Sequence, residues 1–197
     1  MPTIQVLRAD RAAVRAALRS AGVASKTLLA IETKALKTGR KTTGQWKTNR
    51  DNRWTLSPGH PQYASEEDCL TIELRLLGMM CEFRNAPSLK PDVKRVLRKY
   101  IGHMPRPGSY RDALTLHLLD YNEFASEASA GTPGDSAFHI GHEDPTLIPK
   151  HVPGNVSWRE KRSNLIQGNM TLTESRTALV ELIARYFQLG EVSIHPD

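Results

Sequence analysis

Apolar residues recur at the spacing of an α-helix in several parts of this chain. Val14, Ala17 and Leu18, for example, fall on one stripe of a helix that Asp10 caps and Gly22 ends. The helices predicted in this way cover residues 11–20, 26–37, 66–83, 91–102, 111–128, 159–168 and 173–188.

Local end signals support several of these helices. Ser65 precedes three acidic residues that suit a first helical turn, and Pro91 is well placed to open a helix. Thr171 and Glu174 have the spacing of a capping box, and Gly190 ends the helix that they begin. The apolar stripe of that last helix predicts that it is scaffold, and His117 is expected to be a packed core histidine.

The first two helices leave two interpretations open. Joined by the short segment 21–25, they are compatible with a helix-turn-helix or with a simple helical hairpin that packs on the core.

Residues 137–168 have a different pattern. Residues 137–141 and 156–158 predict two short strands, the prolines between them predict an ordered loop, and a helix follows from Arg159 to Gly168. The expected fold class is therefore α+β: a mostly helical domain with a C-terminal strand–loop–strand–helix unit. We place the division between a helical portion, residues 1–134, and this unit with the last helix, residues 135–197.

Charge is uneven along the chain. The formal net charge is +6, and residues 34–54 carry seven basic residues against one acidic. Residues 84–111 are also basic, whereas residues 112–157 are acidic. Basic blocks of this kind indicate a polyanionic partner, although a solvated surface gives the same composition. The Gly-, Thr- and Trp-containing segment 37–61 suits a loop that lies along DNA.

Two cysteines are too few for a disulfide framework, and no CxxC pair offers a zinc site. We expect Cys69 and Cys81 to be buried thiols in a reducing cytoplasm. The N-terminus lacks the pattern of a secretion signal, and no apolar run has membrane-spanning length.

Three polar residues of the predicted strand–loop–strand–helix unit suit phosphodiester hydrolysis. His142 ends the first strand, Asn155 begins the second and Asn164 lies in the helix. A neutral imidazole can take a proton from water, and an amide oxygen is a hard ligand suited to Mg²⁺. A hairpin of this kind is expected to bring His142 and Asn164 together.

The segment "GHEDP…NVSWREKRSNLIQG" resembles the HNH motif of the His-Me finger, or ββα-metal, endonucleases. The resemblance implies that His142 is the general base and that Asn155 holds the loop and orients His142 through a hydrogen bond. It implies that Asn164 binds Mg²⁺ or another divalent cation such as Mn²⁺. His139 and His151 have no counterpart in the motif.

One position departs from the motif. The residue before the base is usually a metal-binding Asp or His, and here it is Gly141. Family branches with an Asp-Arg-Gly-His pattern use a single Asn as protein ligand. Gly141 therefore favours a site with one protein ligand. Glu143 and Asp144 remain possible second ligands or water-mediated contacts.

The function expected from these observations is metal-dependent cleavage of double-stranded DNA by a cytoplasmic homodimer, most consistent with a Type II restriction endonuclease. A phage or homing HNH nuclease, or a DNA-binding protein with an inactive finger, are the alternatives. The residues expected to contact DNA are Arg40, Lys41, Lys47, Arg50, Arg53, Arg159 and Arg162. The sequence does not indicate a recognition site.

Overall fold

A computed structural model describes residues 2–39, 50–130 and 136–193. Within these ranges the chain is α+β and mostly helical, as predicted. The helices are α1 (Ile4–Ser20), α2 (Ser25–Leu36), α3 (Glu66–Met80), α4 (Pro91–Ile101), α5 (Tyr121–Ala130), α6 (Lys161–Gln167) and α7 (Leu172–Leu189). The strands are β1 (Phe138–His142) and β2 (Val156–Glu160), which pair antiparallel.

Helix α3 is the centre of the fold, and α1, α2, α4 and β2 pack around it. Most of its apolar residues, among them Ile72, Leu74 and Leu77, are fully buried. The hydrophobic core is continuous across the predicted division at residue 134, since Phe138 and Trp158 belong to the same cluster as α3. The indole Nε1 of Trp158 donates to the carbonyl of Leu76 at 2.9 Å, which fixes the hairpin on α3.

One buried carboxylate ties α1 to α3. Glu73 is fully buried and accepts from Arg11 at 2.6 Å and from Arg15 at 2.5 Å. Both arginines also pair with Glu32 of α2. A buried carboxylate is tolerated only when it is paired in this way. The first two helices therefore both pack on α3, and ion pairs to Glu73 and Glu32 link them.

Most predicted helix ends are confirmed. The Ser65 side chain accepts from the amide of Asp68, Pro91 opens α4, and Gly102 ends it in a left-handed conformation (φ 87°). The capping box of Thr171 and Glu174 is formed, and Cys69 and Cys81 are buried thiols.

The start of α1 was predicted wrongly. The helix begins at Ile4 with Thr3 as its cap, because Leu7 continues the buried stripe of Val14 and Leu18 by two more turns. Asp10 does not cap the helix; its carboxylate accepts a hydrogen bond from the Tyr100 hydroxyl at 2.6 Å.

The helix predicted over residues 111–128 is also wrong in its first half. The Asp112 carboxylate accepts from the amides of Leu114 and Thr115, which holds a turn in place of a helix. Regular helix begins only at Tyr121. His117, expected in the core, has a 70% exposed side chain and lies 3.4 Å from Glu160.

The last helix is not the buried scaffold that its apolar stripe predicts. Among the described residues only its first two turns are docked, through buried Leu172 and Ser175 and half-buried Ala178 and Leu179. Residues 180–193 are all exposed.

Candidate active site

The predicted strand–loop–strand–helix unit is present, and its hairpin has two distinct faces. His139 pairs with Arg159 and Gly141 with Ser157, and these residues face α6. Phe138 and Trp158 point the other way, into the core. Side chains alternate along a strand, so His142 lies on the core face and not on the α6 face. This alternation decides which polar groups meet.

Asn155 holds the loop between the two strands. Its Oδ1 accepts from the amide of Asp144 at 2.7 Å, and its Nδ2 donates to the carbonyls of Asp144 and Lys150 at 2.7 and 2.8 Å. These three hydrogen bonds hold the loop in place. They go to backbone groups and not to His142, so Asn155 positions His142 only through the chain.

Asn164 lies on α6 over the face formed by His139 and Gly141. Its Nδ2 is 3.5 Å from Nδ1 of His139, and its Oδ1 is 3.2 Å from the place where a Cβ on Gly141 would stand. Positions 141 and 164 therefore meet where α6 crosses β1. The direct meeting of His142 with Asn164 that the sequence predicts is not among the side-chain contacts of the described residues.

The space beside Gly141 is filled by Arg159. A Cβ at position 141 would overlap Cγ of Arg159 and lie 3.0 Å from its Nε. Arg159 is fully buried and donates through Nη2 to Glu143 at 2.8 Å, and Glu143 also accepts from the Ser157 hydroxyl. Nε and Nη1 of Arg159 are buried without a hydrogen-bond partner among the described residues. Arg159 is thus part of the unit's interior.

His142 is neutral at physiological pH. Burial, together with the nearby charges of Lys150, Arg53 and Arg159, lowers its pKa to about 4. Its Nε2 is buried and has no hydrogen-bond partner among the described residues. An imidazole in this state can accept a proton, which is the property that a general base requires.

His151 packs against His142, with ring centroids 6.0 Å apart. It is fully buried, its Nε2 is 2.7 Å from the carbonyl of Ala35, and burial lowers its pKa to about 3. Since a carbonyl only accepts, the proton of this neutral ring is on Nε2.

The residues expected to bind DNA are placed very differently from one another. Arg162 is exposed, whereas Arg159 is inaccessible and Arg53 is 9% exposed and donates to the carbonyl of Gln62 at 3.2 Å. Arg50 is half-buried and takes part in an interaction of its own. Arg40, Lys41 and Lys47 lie outside the described residues.

Sequence reasoning missed two residues of the unit. His139 lies beside Asn164, and Gln167 donates to the carbonyl of His142 at 2.7 Å, which ties α6 to the end of β1. The signal for His139 was available, because a residue two positions before Gly141 shares its face of the strand. For Gln167 the sequence carries no comparable signal.

The arrangement supplies one hard oxygen ligand, the amide of Asn164, next to a buried cation. Within residues 2–39, 50–130 and 136–193 no group of three His, Cys, Asp or Glu side chains could hold a metal ion. No helix in these ranges is both long and apolar enough to cross a bilayer.

Comparison with solved structures shows a similar fold. A chain described as "Crystal structure of a type II restriction endonuclease" superposes with a TM-score of 0.53 and 22% sequence identity, over 65% of this chain. The matched region spans 55% of that chain, so little more than half of that protein is represented here. No family model matches the sequence, and no curated protein matches it significantly.

Proposed function

We propose that this protein is a divalent-metal-dependent endonuclease that hydrolyses phosphodiester bonds in double-stranded DNA, with β1, β2 and α6 as an HNH-type catalytic unit. The observation that carries the proposal is the loop held by Asn155, which joins a strand ending in a neutral His142 to a strand and helix that present Asn164. The fold similarity to a type II restriction endonuclease supports the same class, and site-specific cleavage as a Type II enzyme is the form we favour.

In this proposal His142 takes the proton from the attacking water. Its low pKa keeps the ring unprotonated at neutral pH, and its Nε2 has no competing partner among the described residues. Asn155 holds the turn that follows β1, and Gln167 fixes the backbone of His142 from α6. His139 is the second candidate for the base, because it is the histidine that contacts Asn164.

The residues present fit a metal site with a single protein ligand and not a site with several. Gly141 has no side chain to offer, and Arg159 fills the space where one would lie. Asn164 can hold a Mg²⁺ ion that keeps most of its waters and takes phosphate oxygens from DNA. Such an ion supplies a Lewis acid for the negative charge that develops on the phosphate. Glu143 is already engaged by Arg159 and Ser157, which makes it a poor additional ligand.

Exposed basic residues provide the contacts to the phosphate backbone. Arg162 lies on the outer side of α6, and α4 presents Arg95, Arg98 and Lys99 to solvent. Such contacts bind DNA without reading its sequence and weaken with added salt. These phosphate contacts account for the affinity for DNA and not for the choice of a recognition sequence.

A DNA-binding protein with an inactive catalytic unit is the second candidate function. Arg159 favours it, because a buried guanidinium beside Asn164 opposes the binding of a cation. The two functions differ in whether DNA is cut.

The test is nicking of supercoiled plasmid by the wild-type protein with Mg²⁺, with Mn²⁺ and with EDTA, together with a gel-shift assay. We expect nicking that EDTA abolishes. A protein that shifts DNA and never nicks it is the binding protein of the alternative. Sequencing the ends of digested genomic DNA then separates one recurrent motif, expected of a Type II enzyme, from the scattered ends of a non-specific nuclease.

A further inference from the structure

A cavity of about 740 Å³ lies where α3 and α4 end, against the segment 102–111. We call it the α3–α4 cavity. Small-molecule sites in proteins usually have volumes in this range. Part of its wall is apolar and is formed by Met79, Ile101, Met104 and Tyr110. Its lining residues are all distinct from those of the candidate active site, so it is a separate concave site.

The acidic residue of the α3–α4 cavity is Glu82. Its side chain is only 5% exposed, and its Oε1 lies 2.7 Å from Nε2 of His103 and accepts from the Ser109 hydroxyl at 3.4 Å. Its Oε2 has no hydrogen-bond partner among residues 2–39, 50–130 and 136–193. A buried carboxylate is tolerated only when its oxygens accept hydrogen bonds, so Glu82 has capacity for the N–H donors of a ligand.

The other fixed charges that line the cavity are positive. Arg98, Arg106 and Arg111 line it and are exposed. Arg111 donates to the carbonyl of Leu116 at 2.9 Å, whereas the guanidinium groups of Arg98 and Arg106 have no hydrogen-bond or ion-pair partner in the part of the chain that the structure describes. Guanidinium groups bind phosphate oxygens through paired N–H donors, so this side of the cavity suits a phosphate group.

We infer that the α3–α4 cavity binds a nucleoside 5′-phosphate whose base donates to Glu82 and whose phosphate meets Arg98 and Arg106. A simple anion would face the buried carboxylate of Glu82, and a simple cation would face three guanidinium groups. A nucleotide has N–H donors at one end and negative charge at the other, and it therefore matches both parts of the lining. Its base can stack on the apolar wall or on a planar guanidinium group.

Guanine is the base that fits Glu82 best. Its N1–H and N2–H donors lie side by side, as do the two acceptor oxygens of a carboxylate. Cytosine and adenine have a ring acceptor beside their amino group, and thymine has a carbonyl on each side of its N–H. Each of these acceptors would lie against a carboxylate oxygen and repel it. The bond from His103 leaves Oε1 a second lone pair, so both oxygens of Glu82 can still accept.

The guanine nucleotide can be a free one or part of DNA. DNA is the source that we expect, with the base turned out of the duplex into the cavity. This choice of source rests on the proposed function, whereas the binding of a free nucleotide does not. A chain that binds guanosine 5′-phosphate and never cuts plasmid would keep the cavity's role and lose the proposed nuclease activity.

Titration calorimetry of the wild-type chain with guanosine 5′-phosphate is the first measurement. We expect a dissociation constant below about 1 mM, at least about 10-fold lower than for the adenine, cytosine and thymine nucleotides. No heat of binding with guanosine 5′-phosphate at about 5 mM overturns the inference, and so does equal binding of the four nucleotides.

Two arginines of α4 provide a matched pair of variants. Arg98→Gln should weaken the binding of guanosine 5′-phosphate by about 10-fold, because a phosphate contact is lost. Arg95→Gln is the control: Arg95 is exposed on the same helix and is not part of the cavity lining, so this variant should bind as wild type does. Equal loss of binding in the two variants would show that the nucleotide is held by general surface charge and would overturn the inference.

Glu82→Gln tests which base is preferred. The amide oxygen can still accept from His103, but the second acceptor is replaced by a donor, so the preference for guanine should fall to less than about threefold. Arg98→Gln should keep the preference, since it acts on the phosphate. Thermal unfolding checks that both variants are folded. An unchanged preference in a folded Glu82→Gln variant contradicts the role given to Glu82.

Short duplexes separate the two sources of the nucleotide. If the source is DNA, fluorescence anisotropy should show binding to a duplex of G·C pairs at least about fivefold tighter than to one of A·T pairs, and Glu82→Gln should remove the difference. Guanosine 5′-phosphate should then compete with the G·C duplex. Equal binding of the two duplexes, with guanosine 5′-phosphate still bound, assigns the cavity to a free nucleotide and overturns DNA as its source.

Discussion

Arg159 occupies the space in which a side chain at position 141 would lie. A Cβ on Gly141 would overlap Cγ of Arg159 and come within 3.2 Å of Oδ1 of Asn164. The glycine before His142 is thus coupled to a residue on the neighbouring strand. Gly141 and Arg159 therefore have to be considered together.

Gly141→Asp tests this coupling. The new side chain displaces Arg159 from its contact with Glu143, and we expect the free energy of unfolding to fall by about 1–3 kcal/mol. In an Arg159→Ala background the same substitution should cost at least about 1 kcal/mol less, because the colliding atoms are gone. Urea denaturation of the four proteins measures both quantities.

The control for this cycle is Gly154→Ala, since nothing lies within 4 Å of a Cβ at that position. Its stability should stay within about 0.5 kcal/mol of wild type. Additive effects of Gly141→Asp and Arg159→Ala would show that the two residues are not coupled.

Asn155→Ala should destabilise the loop between β1 and β2. Three side-chain hydrogen bonds to backbone groups are lost, and we expect a loss of about 2–4 kcal/mol in the free energy of unfolding. Hydrogen exchange should show the segment 143–153 opening first. The matched control is the exposed Asn169→Ala, which should leave both measurements unchanged. Equal protection of the loop in both variants argues against the role given to Asn155.

The pH dependence of stability should report the buried histidines. Burial lowers the pKa of His151 to about 3 and that of His142 to about 4, below the ordinary value near 6.5. As pH falls below 6.5 the unfolded chain binds protons that the folded chain excludes, so stability is present above that pH and is lost towards the folded pKa. Between pH 7 and pH 5 each of these histidines should contribute a loss of about 2 kcal/mol.

His151→Gln measures this contribution, because Gln can still donate to the carbonyl of Ala35. The variant should lose about 2 kcal/mol less than wild type between pH 7 and pH 5 in urea denaturation. His117→Gln, at an exposed site, should follow the wild-type curve. If the stability of His151→Gln fell between pH 7 and pH 5 as steeply as that of wild type, the imidazole would not be held neutral in the folded protein.

Two histidines of β1 compete for the role of base, and single substitutions separate them. His142→Ala should lower the rate of plasmid cleavage by about 10²–10⁴-fold, the usual contribution of a general base. His139→Ala removes a neighbour of Asn164 and should cost less than about 10-fold. A larger loss of cleavage rate in His139→Ala than in His142→Ala would assign the role of base to His139, on the α6 face.

Local signals in the sequence predicted much of the fold. Ser65, Pro91 and Thr171 act on the first turn of their own helices, so their effect does not depend on the tertiary structure. The region from 111 to 120 was mispredicted because the Asp112 side chain replaces helical hydrogen bonds, and it is fixed there by Ser163, a residue 51 positions away.

The candidate site was predicted in its parts but not in its arrangement. The sequence placed His142 at the end of β1 and Asn164 in α6 correctly. Asn155, expected to begin the second strand, lies in a short 3-10 turn before β2, and Arg159, expected to open the helix, lies within β2. Which face of β1 meets α6 depends on how Trp158 inserts into the core, and this set Asn164 beside His139. No local pattern shows that Arg159 folds over Gly141, because the two residues meet only through the pairing of β1 with β2.

The most direct test of the proposed catalytic unit is plasmid cleavage by Asn164→Ala at increasing Mg²⁺, with DNA binding measured in parallel. We expect cleavage to fall at least about 100-fold and to recover only in part at high Mg²⁺, while DNA affinity changes less than about threefold. His117→Ala, outside the unit, serves as the control and should cut as wild type does. Wild-type cleavage by Asn164→Ala at all Mg²⁺ concentrations would show that β1, β2 and α6 do not form the active site.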